Sequence, residues 1–213
     1  MSYPPSKNVE LDKDAFCTSY IKITSPTNSS AFFNYKLMTY DSEGTRMFYN
    51  KFINAMTQIL AQYNGKILKK TVYWGSLGSY FPKTSNHTDE SAIIDVLECC
   101  LKQIERRQSL LIELAREKLP QISYKICADY GALNHDIVLD DVDRLDRPHW
   151  LPPVHKICST VSTNTAALGH DLYKIITALP RIQEKYLFER IGEYIDDARK
   201  DVPYSVYSLS RRM

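Results

Sequence analysis

The stretch from Tyr63 to Pro82 reads Tyr-Asn-Gly-Lys-Ile-Leu-Lys-Lys-Thr-Val-Tyr-Trp-Gly-Ser-Leu-Gly-Ser-Tyr-Phe-Pro, and it constrains the fold more than any other part of the chain. Asn64-Gly65 stops a preceding helix, because glycine accepts the left-handed backbone that a helix C-terminus needs. Ile67 to Tyr73 is β-branched and apolar enough for a strand. Trp74-Gly75-Ser76 can turn, and Leu77 to Phe81 can run back as the paired strand.

The remaining elements fall around this hairpin. Phe16 to Ile23 reads as a first core strand, followed by a turn-rich loop from Thr24 to Ser30. Phe48, Phe52, Met56, Ile59 and Tyr63 make one helical stripe. Thr88 or Asp89 can cap a long helix from about Ser91 to Lys118, with Ile93, Leu97, Cys100/Leu101, Ile104, Leu111 and Leu114 along its apolar face, and Pro120 ends it. Ile122, Tyr124, Ile126 and Ala128 alternate as in a strand. Gly131 then turns toward a short strand near Ile137 to Leu139. Asp140 to Pro153 reads as a loop. Val154 to about Leu168 reads as a helix with Ile157, Cys158 and Val161 inward, and His170 to Leu179 as a further helical segment. The pattern predicts an amphipathic helix over Arg181 to Lys200, striped by Ile182, Leu187, Ile191 and Ile195, and a closing strand over Val202 to Leu209. Helices alternating with hairpins predict an α+β architecture, a mostly antiparallel sheet with helices packed on it. Residues 1–14 read as a loose lead-in and 15–213 as a single domain.

With 213 residues the chain can bury a sizeable core. Lys+Arg 27 against Asp+Glu 25 leaves a net charge of +2, which argues against a dedicated nucleic-acid surface. No apolar run is long enough to span a bilayer, and no secretion signal precedes the first strand. Cys17, Cys99, Cys100, Cys127 and Cys158 are odd in number and lack paired spacing, so a reducing cytoplasm is the expected compartment. No Walker loop, glycine-rich dinucleotide loop or Gly-x-Ser-x-Gly is present.

Four segments together carry a resemblance: Phe16 to Ser30, Gly65 to Phe81, Ser123 to Leu133 (Ser-Tyr-Lys-Ile-Cys-Ala-Asp-Tyr-Gly-Ala-Leu) and His149 to Ser159 (His-Trp-Leu-Pro-Pro-Val-His-Lys-Ile-Cys-Ser). Their order and spacing over Phe16 to Leu209 resemble the class III nucleotidyl cyclase homology domain, with its ferredoxin-like sheet. The resemblance implies two carboxylates holding two divalent ions, which activate the ribose 3′ hydroxyl and neutralise the triphosphate. Those carboxylate positions fall near Lys22 and near Trp74-Gly75. The family's ribose-orienting asparagine and its transition-state arginine fall at His155 and Ser159. A base-reading lysine position falls at Lys70 or Lys69; its acidic partner position falls at Pro148, with Asp146 two residues away. The resemblance therefore implies a nucleotide site built from Lys22, Lys70, Trp74, His155 and Ser159, with no metal ligand and no cofactor.

Two functions follow from that resemblance. One is a catalytically degenerate cyclase-like domain, acting as a nucleotide-binding sensor or a regulatory dimerisation module, either as a homodimer or with a cyclase-like partner chain. The other is a divergent cyclase using Mg or Mn held by non-standard ligands or by a partner chain. Asp129 can supply a missing carboxylate, pair with a lysine or face solvent. Asp136, Asp140, Asp141, Asp143 and Asp146, with His135 and His149, form either a metal site or a solvated acidic loop. Trp74 and Trp150 suit stacking on a base or packing in the core or a dimer interface.

Overall fold

A computed structural model describes residues 15–24, 42–71, 76–82, 89–132, 152–195 and 203–212. The expected α+β architecture is observed. The strands are β1 (Ala15–Thr24), β2 (Lys66–Thr71), β3 (Ser76–Phe81), β4 (Ser123–Ala132), β5 (Ala166–Gly169), β6 (Tyr186–Ile195) and β7 (Pro203–Arg211). The helices are α1 (Ser42–Gln62), α2 (Asp89–Arg116), α3 (Pro152–Thr160), α4 (His170–Thr177) and α5 (Pro180–Lys185). All seven strands join one sheet in the order β2-β3-β1-β4-β5-β7-β6. Neighbours are antiparallel except β4 and β5, which are parallel, and α3 lies between those two strands in sequence.

Strand pleating sends alternate residues to opposite faces, and the two faces bury separate clusters. Ile21, Tyr124, Ile126, Ala128 and Leu168 share the larger cluster with Phe48, Phe52 and Met56 of α1, Val96, Leu97 and Cys100 of α2, and Leu172 and Ile176 of α4. Tyr20, Cys127, Ala167, Tyr204 and Val206 point the other way and meet Val154, Ile157 and Cys158 of α3, with Val161 just beyond it. The stripe expected on α1 is thus buried, and the inward residues expected on α3 are inward. At its far edge the sheet is tied to α2 by ion pairs: Arg211 reaches Glu98 at 2.6 Å and also Glu105, and Lys185 reaches Glu98 at 2.8 Å.

Four sequence expectations are corrected. The left-handed residue that ends α1 is Asn64, with φ 57°, and not Gly65. Gly65 follows it, and its N–H donates to the Leu60 carbonyl at 3.0 Å. A Cβ on Gly65 would stand 2.2 Å from Leu60 Cδ1, so close approach is what this glycine supplies. Gly131 does not turn the chain: it continues β4, opposite Phe16 of β1. The helix expected over Val154 to Leu168 stops at Thr160, and Ala166–Gly169 is strand β5, buried at every position. The helix expected over Arg181 to Lys200 is only the single turn and a half of α5, followed by strand β6. The reason lies in the spacing. Residues four apart share a helical face, but four is also an even number and fits a pleated strand. Leu187, Ile191 and Ile195 are all exposed, and a register irregularity between Arg190 and Gly192 breaks their common face. The residues that anchor β6 are Tyr186, fully buried, and Phe188 and Tyr194, partly buried.

Candidate functional site

The β1 ladder assembles the region that the sequence singles out. Lys22 lies opposite Ser76 of β3 on one side and opposite Lys125 of β4 on the other. Directly opposed residues in an antiparallel sheet share a face, and Tyr20, two positions before Lys22, belongs to the α3-covered cluster. Lys22, Ser76 and Lys125 therefore lie on the α3 face. Lys22 is exposed, while Lys125 is half-buried and its ammonium donates to the Cys158 carbonyl in α3 at 3.2 Å. Ser159 is the next residue of α3; it is exposed, and its hydroxyl donates to the Lys156 carbonyl at 2.6 Å. Lys125, which the sequence does not single out, is thus the β4 neighbour of Lys22 in register and bonds α3 one residue before Ser159. Lys125 has no signal of its own in the sequence, since β4 also carries Asp129; its register opposite Lys22 and its bond to α3 bring it in.

The other expected residues are placed less fully. Lys70 stands in β2 at the register position opposite Leu77, and His155 lies in α3; the side chains of both fall outside the described residues. Trp74 belongs to 72–75, between the paired ends Thr71 and Ser76 of the hairpin, and is also outside them. So are the Asp136 to Asp146 cluster, His135, His149, Pro148, Trp150 and the strand expected near 137–139.

Asp129 follows none of the roles that the sequence offered for it. It is only 1% exposed, at the β4 end away from Lys22, opposite Thr18. One carboxylate oxygen accepts the backbone N–H of Leu172, in the first turn of α4, at 3.1 Å, and that of Tyr130 at 2.9 Å. The other accepts the Tyr204 hydroxyl, which itself accepts the Asp171 N–H at 3.1 Å. Burial raises the Asp129 carboxyl, and the nearby Asp171 adds to this. The bonds from Tyr204, Leu172 and Tyr130 pull the other way, and the balance is about 7. Gly169 is the complement of this arrangement: a Cβ there would stand 2.1 Å from an Asp129 oxygen.

A divalent ion needs converging oxygen donors, and the described residues do not fit one. Among the described residues, the charged side chains at the Lys22 end of the β1–β4 ladder are ammonium groups, and Asp129 spends its oxygens on Tyr204 and the backbone of Tyr130 and α4. Among the described residues no group of three His, Cys, Asp or Glu could hold a metal ion. Nor is any helix among them long and apolar enough to cross a membrane.

No protein-family model and no curated protein sequence matches the chain. Solved structures do. The adenylyl cyclase CyaB from P. aeruginosa aligns with a TM-score of 0.69 at 12% identity, over 93% of this chain and 95% of that one. The guanylate cyclase domain of RhGC from Catenaria anguillulae, in complex with GTP, aligns at 0.68 with 10% identity, over 94% and 98%. The dimeric guanylyl cyclase domain of the RhoGC fusion protein from Blastocladiella emersonii aligns at 0.67 with 9% identity, over 93% and 98%. At such identities the likeness is one of fold: the chain has the fold of an adenylyl or guanylyl cyclase catalytic domain.

Proposed function

We propose that this cyclase-fold chain is a nucleotide-binding regulatory module without metal-dependent cyclisation. The observation that carries the reading is the β1 register, in which Lys22 stands exposed between Ser76 and Lys125 at the sheet end where the resemblance expects a metal-binding carboxylate. Two ammonium groups there repel a divalent ion. At about 4 Å, even a surface-like dielectric makes that repulsion several kcal/mol per lysine. The same groups attract a triphosphate as fixed cations. A lysine supplies charge but cannot turn the ribose hydroxyl into a metal-bound alkoxide, so binding without turnover follows. The GTP complex and the dimer among the structural neighbours support a nucleotide and a second cyclase-like domain as the partners to test first.

The test is incubation of the purified chain with each of the four nucleoside triphosphates plus magnesium or manganese. The expected result is no cyclic nucleotide by mass spectrometry. Nucleotide binding should persist in a chelator and weaken roughly 5- to 10-fold in Lys22→Ala or Lys125→Ala, about 1 kcal/mol for each charge removed. Sustained cyclic nucleotide formation by the wild-type chain overturns the reading.

A further inference from the structure

Two thiols face each other across the α3–β4 contact. Cys158 Sγ lies 2.6 Å from Cys127 Sγ, with the Tyr20 carbonyl at 3.8 Å, and the two cysteines are 31 positions apart. Cys127 is 0% and Cys158 3% exposed, within the apolar cluster that seats α3 on the sheet. A disulfide's sulfurs stand about 2.05 Å apart, so the two sulfurs are already within a short closing movement of that bond. Cysteine packed merely as a small apolar residue needs no sulfur partner; here two such residues, on a helix and on a strand, put their sulfurs against each other.

We propose that Cys127 and Cys158 are a redox modification site: a peroxide oxidises them to an intramolecular disulfide that fastens α3 to β4, and a dithiol reverses it. Cys158 is the first to react, because it is the one with residual exposure. Its thiolate attacks one peroxide oxygen, the O–O bond breaks, and a sulfenic acid and hydroxide result. Cys127 then attacks the sulfenic sulfur, the S–O bond breaks, and the hydroxyl leaves as water with the Cys127 proton. In total two thiols and one hydrogen peroxide give one disulfide and two waters: each sulfur gives up one electron and each peroxide oxygen gains one. Burial pushes the Cys127 thiol up, so reaction awaits the opening of α3 and is slow compared with that of an exposed thiolate. A small neutral peroxide is the oxidant class suited to so enclosed a site. The consequence reaches the nucleotide face, since the Cys158 carbonyl holds Lys125 and Ser159 is the next residue. The proposal does not depend on nucleotide binding.

The experiment uses the full chain in its native state, with millimolar hydrogen peroxide over hours. Unreacted thiols are then alkylated in denaturant, and the chain is analysed as intact mass and as peptides. The expected product has lost two hydrogens, retains three of its five thiols, yields the Cys127–Cys158 linked peptide and returns to five thiols with dithiothreitol. Oxidised chain should melt roughly 5–15 °C higher than reduced chain, because the link closes a loop of about thirty residues in the unfolded state. Five thiols remaining after exposure overturns the proposal. So does a different pairing, or sulfinic acid at Cys158 without a link. The wild-type result stands without any variant; if Cys127→Ser folds, it should show neither the link nor the melting shift.

Discussion

Asp129 is a carboxyl in a place where water cannot reach it, and its effect on stability has a definite sign. An unfolded aspartate titrates near 3.8, while burial and Asp171 bring the folded one to about 7. Between those values the folded chain holds a proton that the unfolded chain has lost. Its contribution is fully present below pH 3.8, falls as pH rises toward 7, and is flat above. At 1.36 kcal/mol per unit the loss is about 4 kcal/mol. Urea midpoints between pH 4 and pH 8 should fall along this course in the wild type. Asp129→Asn keeps an acceptor for the Leu172 and Tyr130 amides without titrating, so its midpoint should be nearly flat over the same range. A variant with the wild-type slope would show that another group is responsible.

At the level of elements, the junction of β5 and α4 is set by one missing side chain. The Cβ of Gly169→Ala would meet the Asp129 carboxyl at 2.1–2.5 Å, and that carboxyl is pinned by three hydrogen bonds. The cost should be about 1–3 kcal/mol in denaturant melts with an unchanged m-value. Gly192→Ala in β6, where the Cβ would find Thr160 Cβ at 4.0 Å, is the control and should change stability by less than about 0.5 kcal/mol. The elements that were legible in the sequence show why others were not. β1, β3 and β4 alternate or run apolar against known neighbours, and the α1 stripe repeats too regularly to mislead. β5 has four residues, all buried, so no period exists to read. β6 carries a spacing common to helix and strand, and its pairing with β7 decides the matter. At the site, Lys22 was legible through the resemblance, as the residue standing where a metal-binding carboxylate is expected. Lys125 became evident only through its register with Lys22 and its bond to α3. Asp129 was not legible, because its partners lie 43 and 75 positions away in sequence.

Across the whole molecule the sheet is unevenly joined. The β1–β4 ladder runs through ten residue pairs, whereas β5 and β7 share three. Hydrogen exchange should therefore find the slowest amides in β1 and β4. The β6–β7 hairpin should open as a separate, less protected unit, held by Leu209, Tyr186, Val206, the Tyr204–Asp129 bond and the Arg211 ion pairs. Equal protection across all seven strands would contradict that order. The same asymmetry governs how the chain is made. On the ribosome β5 emerges with its outer edge unpaired, and its partner β7 begins only at Pro203. About thirty residues separate them, a delay of roughly 2–7 s at ordinary rates of synthesis. Throughout that interval the nascent chain presents a short apolar strand edge that neighbouring chains in the polysome can pair with, so pauses late in translation lengthen its exposure to aggregation.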